Sequence, residues 1–125
     1  LQLLGIGTNG HIGFNEPSST FILPPHLVSL AQETINSNSH FFSEGEVMPT
    51  QAITMGIRDI MRAREVVLLA FGKAKANVIH RLFTETCVDP NLPCSILKLR
   101  DQVTIYIDRE LATETGIEDC LSFTK

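Results

Sequence analysis

A chain of 125 residues, 43% of them hydrophobic, can bury one modest core, so a single domain of ordinary soluble composition is expected. Ten Lys and Arg against 14 Asp and Glu give a formal net charge of -4 without any basic block, which argues against nucleic acid or an anionic membrane surface as partner. The three cysteines, Cys87, Cys94 and Cys120, have neither disulfide-framework nor zinc-ligand spacing, and no apolar run approaches a membrane span of about 18 residues, so a reduced, cytoplasmic protein is expected.

In chain order, residues 1–6 read as a short, buried strand that runs into glycines. The chain begins inside this strand and without Met, so a piece of a longer polypeptide is expected. Gly5-Ile6-Gly7-Thr8-Asn9-Gly10 fits G-x-G-x-x-G, which opens a dinucleotide-binding turn only when a long amphipathic helix follows. Gly13 and Pro17 interrupt that helix, so the nucleotide reading fails.

Residues 18–25 read as loop, 26–30 as a short strand, 32–42 as weakly helical at best, and 43–49 as a surface connection. Ile53, Ile57, Ile60 and Met61 recur at helical spacing, so at least the second half of 50–64 is an amphipathic helix. The solid apolar run 65–71 is the centre strand of a parallel sheet, and Gly72 leads into a helix over 73–86 with Ala76, Val78, Ile79, Leu82 and Phe83 on one face. Residues 95–99 are ambiguous. Residues 103–107 form a β-branched strand, and Asp108 caps a short helix over 109–115. The order implies an α/β fold, a Rossmann-like three-layer sandwich with a mainly parallel sheet, incomplete in this chain.

In such a fold chemistry collects at the carboxyl ends of the strands. Gly5, Gly7, Asn9 and His11 would lie near Lys75 in the first turn of the next helix, where backbone amides and a cation favour a small anion such as phosphate. Surface lysines are the rule, so by residue type alone Lys73 and Lys75 read first as a solvated helix start. His11 and Glu16 form the sharper pair: a carboxylate can fix the imidazole tautomer and raise its basicity for proton transfer, although a turn histidine bonded to backbone is the plainer alternative. His26, His40 and His80 are scattered, and no two histidines share metal-ligand spacing.

The segment Gly5 through Pro17 closely resembles the active-site signature of the glucosamine-6-phosphate deaminase/isomerase family. The resemblance continues through Asn38-Ser39-His40-Phe41-Phe42, Ile53-Thr54-Met55-Gly56, Phe71-Gly72-Lys73-Ala74-Lys75-Ala76 and Asp108-Arg109-Glu110. Phe14-Asn15-Glu16-Pro17 separates it from the related 6-phosphogluconolactonases.

The resemblance implies conversion of an amino-sugar 6-phosphate and water to fructose 6-phosphate and ammonia, without metal or organic cofactor. It makes His11 the ring-opening acid/base and Glu16 its polarising partner, with Asn9 where many members carry Asp. Gly5 becomes a backbone contact to the sugar, and Lys75 a phosphate ligand, which reverses the solvated reading. Gly7 falls in the same substrate-binding turn. His40 stands where the family often has Arg as a phosphate partner, and His is shorter and only partly charged at neutral pH.

Ser18 and Ser19 lie where an allosteric branch binds its activator. His26 and Val28 replace that branch's basic residues, so no activation by N-acetylglucosamine 6-phosphate is expected. Family members have about twice this length, so 1–125 is expected as the carboxyl-terminal half of a larger unit, inactive alone. Its partner would be the amino-terminal half, which holds a second phosphate loop and the Asp that shuttles the proton between C2 and C1. Homo-oligomerisation, a galactosamine 6-phosphate substrate and a non-catalytic sugar-phosphate sensor remain open.

Overall fold

The computed structural model describes residues 1–43 and 45–117; Cys120 lies outside them. The chain runs β1 (Gln2–Gly5), β2 (His26–Ser29), α1 (Gln32–Asn38), β3 (Gln51–Thr54), α2 (Ile57–Arg62), β4 (Val66–Ala70), α3 (Ala76–Thr84), β5 (Val103–Ile107) and α4 (Arg109–Thr115). Short 3-10 turns over Ser39–Phe41, Lys73–Lys75 and Pro93–Leu99 punctuate it.

The parallel sheet has the order β1-β4-β5, with Leu4 paired to Leu68 and Leu68 to Ile105. As its unbroken apolar sequence predicts, β4 is the centre strand: Val66, Leu68 and Ala70 are buried. They share one core with Leu4, with Ile57 and Ile60 of α2, with Val78, Ile79 and Leu82 of α3, and with Leu111 of α4. The alternate strand positions differ sharply, since Leu3 is 59% and Tyr106 50% exposed. One sheet face is therefore packed and the other is bare, in the mainly parallel α/β arrangement expected.

Two elements depart from expectation. Residues 32–38 form a full helical segment rather than a weak one, and residues 51–54 form β3 instead of starting a helix. β3 pairs antiparallel with β2, Leu27 opposite Ile53, and this second sheet brackets α1. The helix expected in that region is confined to α2. Arg100 holds the end of α2: its guanidinium donates to the carbonyl of Met61, one of those the helix end leaves without an intrahelical partner, and to those of Ala63 and Arg64 just after it.

Asp108 caps α4 as expected, Oδ1 accepting from the Leu111 amide at 2.7 Å. Its Oδ2 accepts from the Gly72 amide at 2.8 Å, which ties the end of β4 to the start of α4. His80 is exposed and donates from Nδ1 to the Thr115 carbonyl at 3.2 Å. Cys87 and Cys94 are free thiols; Cys94 is buried, which pushes its pKa up to about 12 and leaves it unreactive.

Candidate active site

The site starts where β1 ends. Residues 7–11 close on themselves, the Gly7 amide donating to the His11 carbonyl at 2.9 Å and the Gly10 amide to the Gly7 carbonyl at 3.0 Å. Ile12, fully buried, anchors the loop in the core. The side chain of Asn15 braces the next turn, donating from Nδ2 to the carbonyls of Ile12 and Met55, each at 2.9 Å. Thr54 of β3 accepts from the Phe14 amide at 3.1 Å. The second sheet thus fixes the loop that carries His11 and Glu16.

Gly7 is there for space. A Cβ on it would lie 2.3 Å from Cε1 and Nδ1 of His11, so the imidazole is seated directly over bare backbone.

His11, Asn9 and Glu16 form a chain of polar contacts. The Asn9 Oδ1 accepts from the His11 amide at 3.1 Å and lies 2.9 Å from His11 Nδ1. Because Oδ1 already accepts the backbone bond, Nδ2 is the end that donates to Glu16 Oε2, at 2.8 Å. This assigns the proton to His11 Nδ1 and leaves Nε2 as the ring's free acceptor. Glu16 Oε2 also stands 3.4 Å from His11 Nδ1, with both side chains mostly buried.

The expected rise in His11 basicity does not occur. Burial pushes its pKa below the usual 6.5, outweighing the attraction of Glu16; Lys75 lowers it further, while Glu33 raises it. Removing the ring from water disfavours the imidazolium more than one carboxylate behind an amide restores it.

A cleft of about 360 Å³ opens in front of this network, lined by Gly5, Gly7, Thr8, His11, Thr34 and Lys75, and by Glu33 and Asn38 of α1. Burial lowers the Lys75 pKa while Glu33 raises it, so a cation and a carboxylate share the cleft. Lys73 turns away to pair with Glu110 at 3.4 Å, both well exposed. The structure therefore brings Gly5, Gly7, His11 and Lys75 to one cleft, with Asn9 and Glu16 directly behind the imidazole. His40 does not join them: it is exposed, does not line the cleft, and packs against Phe41 with ring centroids 4.0 Å apart.

Sequence reasoning missed Thr34 and Glu33. Thr34 is 2% exposed and donates from Oγ1 to Glu16 Oε1 at 2.6 Å, and Glu33 accepts from the Thr8 hydroxyl. A polar Thr in a Gln-Glu-Thr-Ile run gives no sign of burial, and the bonds that join α1 to the loop, Thr34 to Glu16 and Thr8 to Glu33, span residues far apart in sequence.

The sequence model of the glucosamine-6-phosphate isomerases/6-phosphogluconolactonase family matches residues 1–106. The chain belongs to this family.

Among its relatives are the glucosamine-6-phosphate deaminases of Clostridium novyi (strain NT), 52% identical over 114 residues, and of Clostridium botulinum (strain Loch Maree / Type A3), 47% identical over 118. These alignments cover 91% and 94% of this chain but 47% and 48% of the relatives. The chain spans about half the length of the curated family members it matches.

A solved monomeric glucosamine-6-phosphate deaminase superposes with a TM-score of 0.83 at 42% identity, covering 90% of this chain and 46% of that one. The 6-phosphogluconolactonase from Trypanosoma cruzi, at 22% identity and a TM-score of 0.61 over 89% of this chain and 39% of that one, shares the fold. Among the described residues of this family member no helix is long and apolar enough to cross a membrane, and no group of three or more His, Cys, Asp or Glu could hold a metal ion.

Proposed function

We propose that this chain is the carboxyl-terminal half of a cytoplasmic amino-sugar phosphate deaminase/isomerase that converts glucosamine 6-phosphate and water to fructose 6-phosphate and ammonia. One observation carries the reading: the Asn9 amide holds the proton on His11 Nδ1 and leaves Nε2 basic beside a cleft that contains Lys75. In the ring-opening step Nε2 takes the proton of the anomeric hydroxyl and returns one to the ring oxygen, while the C1–O5 bond breaks. A lowered His11 pKa keeps the ring neutral, and so ready to accept, at neutral pH. Glu16, acting through Asn9, limits the cost of the transient imidazolium.

Lys75 supplies the charge for the 6-phosphate, and Gly5, which has open space over its Cα, supplies backbone that a sugar can approach. Ring opening needs no base at C2, but isomerisation does. The carboxylate that lines the cleft, Glu33, is engaged by the Thr8 hydroxyl, which supports a contribution of that base from the remaining half. The bare sheet face bearing Leu3 and Tyr106 supports the same reading, because a parallel sheet is covered on both sides.

Ammonia release from glucosamine 6-phosphate tests the proposal. It is expected from a polypeptide that joins this chain to its amino-terminal half, and not from the 125 residues alone. Steady turnover by the short chain overturns the half-enzyme reading. A joined polypeptide that releases ammonia only from galactosamine 6-phosphate reassigns the substrate, and one that binds either sugar phosphate without turnover is a sensor.

A further inference from the structure

The Glu16 carboxylate is held by four groups. Asn9 Nδ2 and the His11 ring face Oε2, at 2.8 and 3.4 Å. On the opposite oxygen, Thr34 Oγ1 donates at 2.6 Å, and the Ala31 amide follows at 3.5 Å. The Thr34 hydroxyl also lies 3.5 Å from His11 Nδ1, and the residue is 2% exposed although it belongs to a short, polar helix. Its own hydrogen bond is thus the strongest restraint on Oε1, and it comes from a different element of the fold than His11, Asn9 and Glu16.

We propose that Thr34 is a positioning residue that clamps Glu16 Oε1 so that Oε2 stays turned toward Asn9 and the His11 ring. The inference rests on the proton-transfer role proposed for His11. A carboxylate free to rotate about its last torsion would swing toward the nearby backbone amide or the cleft, and the imidazolium would lose its support. Thr34 therefore ties the state of α1 to the basicity of the group at the end of β1. The charged groups that face His11 are Glu16 on its own loop, Glu33 on α1 and Lys75 before α3. Of these, Glu16 is the one to which the Thr34 hydroxyl donates.

The test is an NMR titration of the His11 imidazole in the polypeptide that joins this chain to its amino-terminal half. Thr34→Val removes the hydroxyl and keeps the shape; it is expected to lower the His11 pKa by about 0.5 to 1 unit. Thr34→Ser restores the hydroxyl and is expected to return the value to that of the parent. Glu16→Gln should lower it at least as far as Thr34→Val. A rise or no change in Thr34→Val, with Glu16→Gln effective, overturns the clamp. If Glu16→Gln also leaves His11 unmoved, the pairing on which the catalytic reading depends is what fails.

Should Thr34→Val not fold, the parent protein decides. A hydroxyl bonded at this distance gives a resolved, slowly exchanging Thr34 hydroxyl proton that is lost in Glu16→Ala, which removes the acceptor, and its absence from the parent spectrum overturns the proposal.

Discussion

Gly7 and the ring of His11 claim one space: a Cβ on residue 7 would lie 2.3 Å from two atoms of the imidazole. The ring cannot retreat freely, since its Nδ1 and its own amide are both bound to Asn9 Oδ1. Gly7→Ala is therefore expected to displace His11 from Asn9 at a cost of about 1 to 3 kcal/mol in stability. In the joined polypeptide turnover should fall by about 100-fold or more, the effect of a misplaced catalytic group. Urea unfolding and initial rates measure the two, and a variant with parental activity would show that the ring does not act from this seat.

Asn9→Asp tests how the relay tunes His11. A carboxylate oxygen 2.9 Å from Nδ1 would favour the imidazolium directly, while the donor to Glu16 would be lost. The nearby opposite charge is the larger effect, so the His11 pKa is expected to rise by about one unit or more. The acid limb of the rate profile should move to higher pH accordingly, because ring opening needs the neutral imidazole. A titration that stays put or moves down refutes the arrangement drawn between these three residues.

The lowered His11 pKa also enters stability. The folded state binds its proton less readily than the unfolded chain, whose value is near 6.5, so the unfolded state carries more protons just below that pH. Stability from this group is complete above about pH 6.5 and is lost as pH falls toward the folded value. Comparing urea unfolding at pH 5.5 and 7.5, roughly either side of that window, should show a shallower pH dependence in His11→Gln than in the parent. The same variant should release no ammonia in the joined polypeptide. Parallel pH dependences in the two proteins would mean that His11 does not titrate abnormally.

These contrasts mark what sequence carries. β4 with the helix after it, and β5 with its Asp108 cap, were legible because strand period, helical period and cap chemistry are local. α1 was not, because Asn36, Ser37 and Asn38 are poor helix formers; side-chain bonds from Ser37 and Asn38 to the Thr34 carbonyl and the burial of Thr34 hold it in place. β3 was hidden for a related reason, since its partner β2 lies across α1 in the chain and Ile53 is 81% exposed. For His11, spacing alone favoured a backbone bond and its pairing with Glu16 rested on the family resemblance, whereas the glycine turn could be read from spacing. That burial outweighs Glu16 at the imidazole could not, because solvent exclusion at residue 11 is made by residues distant in sequence.

Arg100 gives a prediction about the fold alone. Its guanidinium serves three carbonyls at the end of α2, two of them in the loop that leads into the centre strand. Arg100→Met keeps the apolar stem but leaves those acceptors to water or unpaired, for an expected loss of about 1.5 to 3 kcal/mol. The His11 titration should be unchanged, since Met61, Ala63 and Arg64 neither line the cleft nor act on His11. A stability within about 0.5 kcal/mol of the parent would show that water replaces the guanidinium without penalty.

Lys75 and Lys73 lie in the same 3-10 turn and should behave differently. Lys75 is half-buried in the cleft wall, and among the described residues no carboxylate forms an ion pair with it, so its ammonium is available to a bound anion. Lys73 is spent on an exposed pair with Glu110, an interaction of little worth in water. Removing one charge-assisted contact to phosphate costs about 1.5 to 3 kcal/mol, which is roughly a 10- to 100-fold loss of affinity. Lys75→Met is therefore expected to weaken binding of glucosamine 6-phosphate by that factor, and Lys73→Met by less than about two-fold. Isothermal titration on the joined polypeptide reads both. Equal losses in the two variants would mean that the turn contributes only diffuse positive charge, with no phosphate ligand at residue 75.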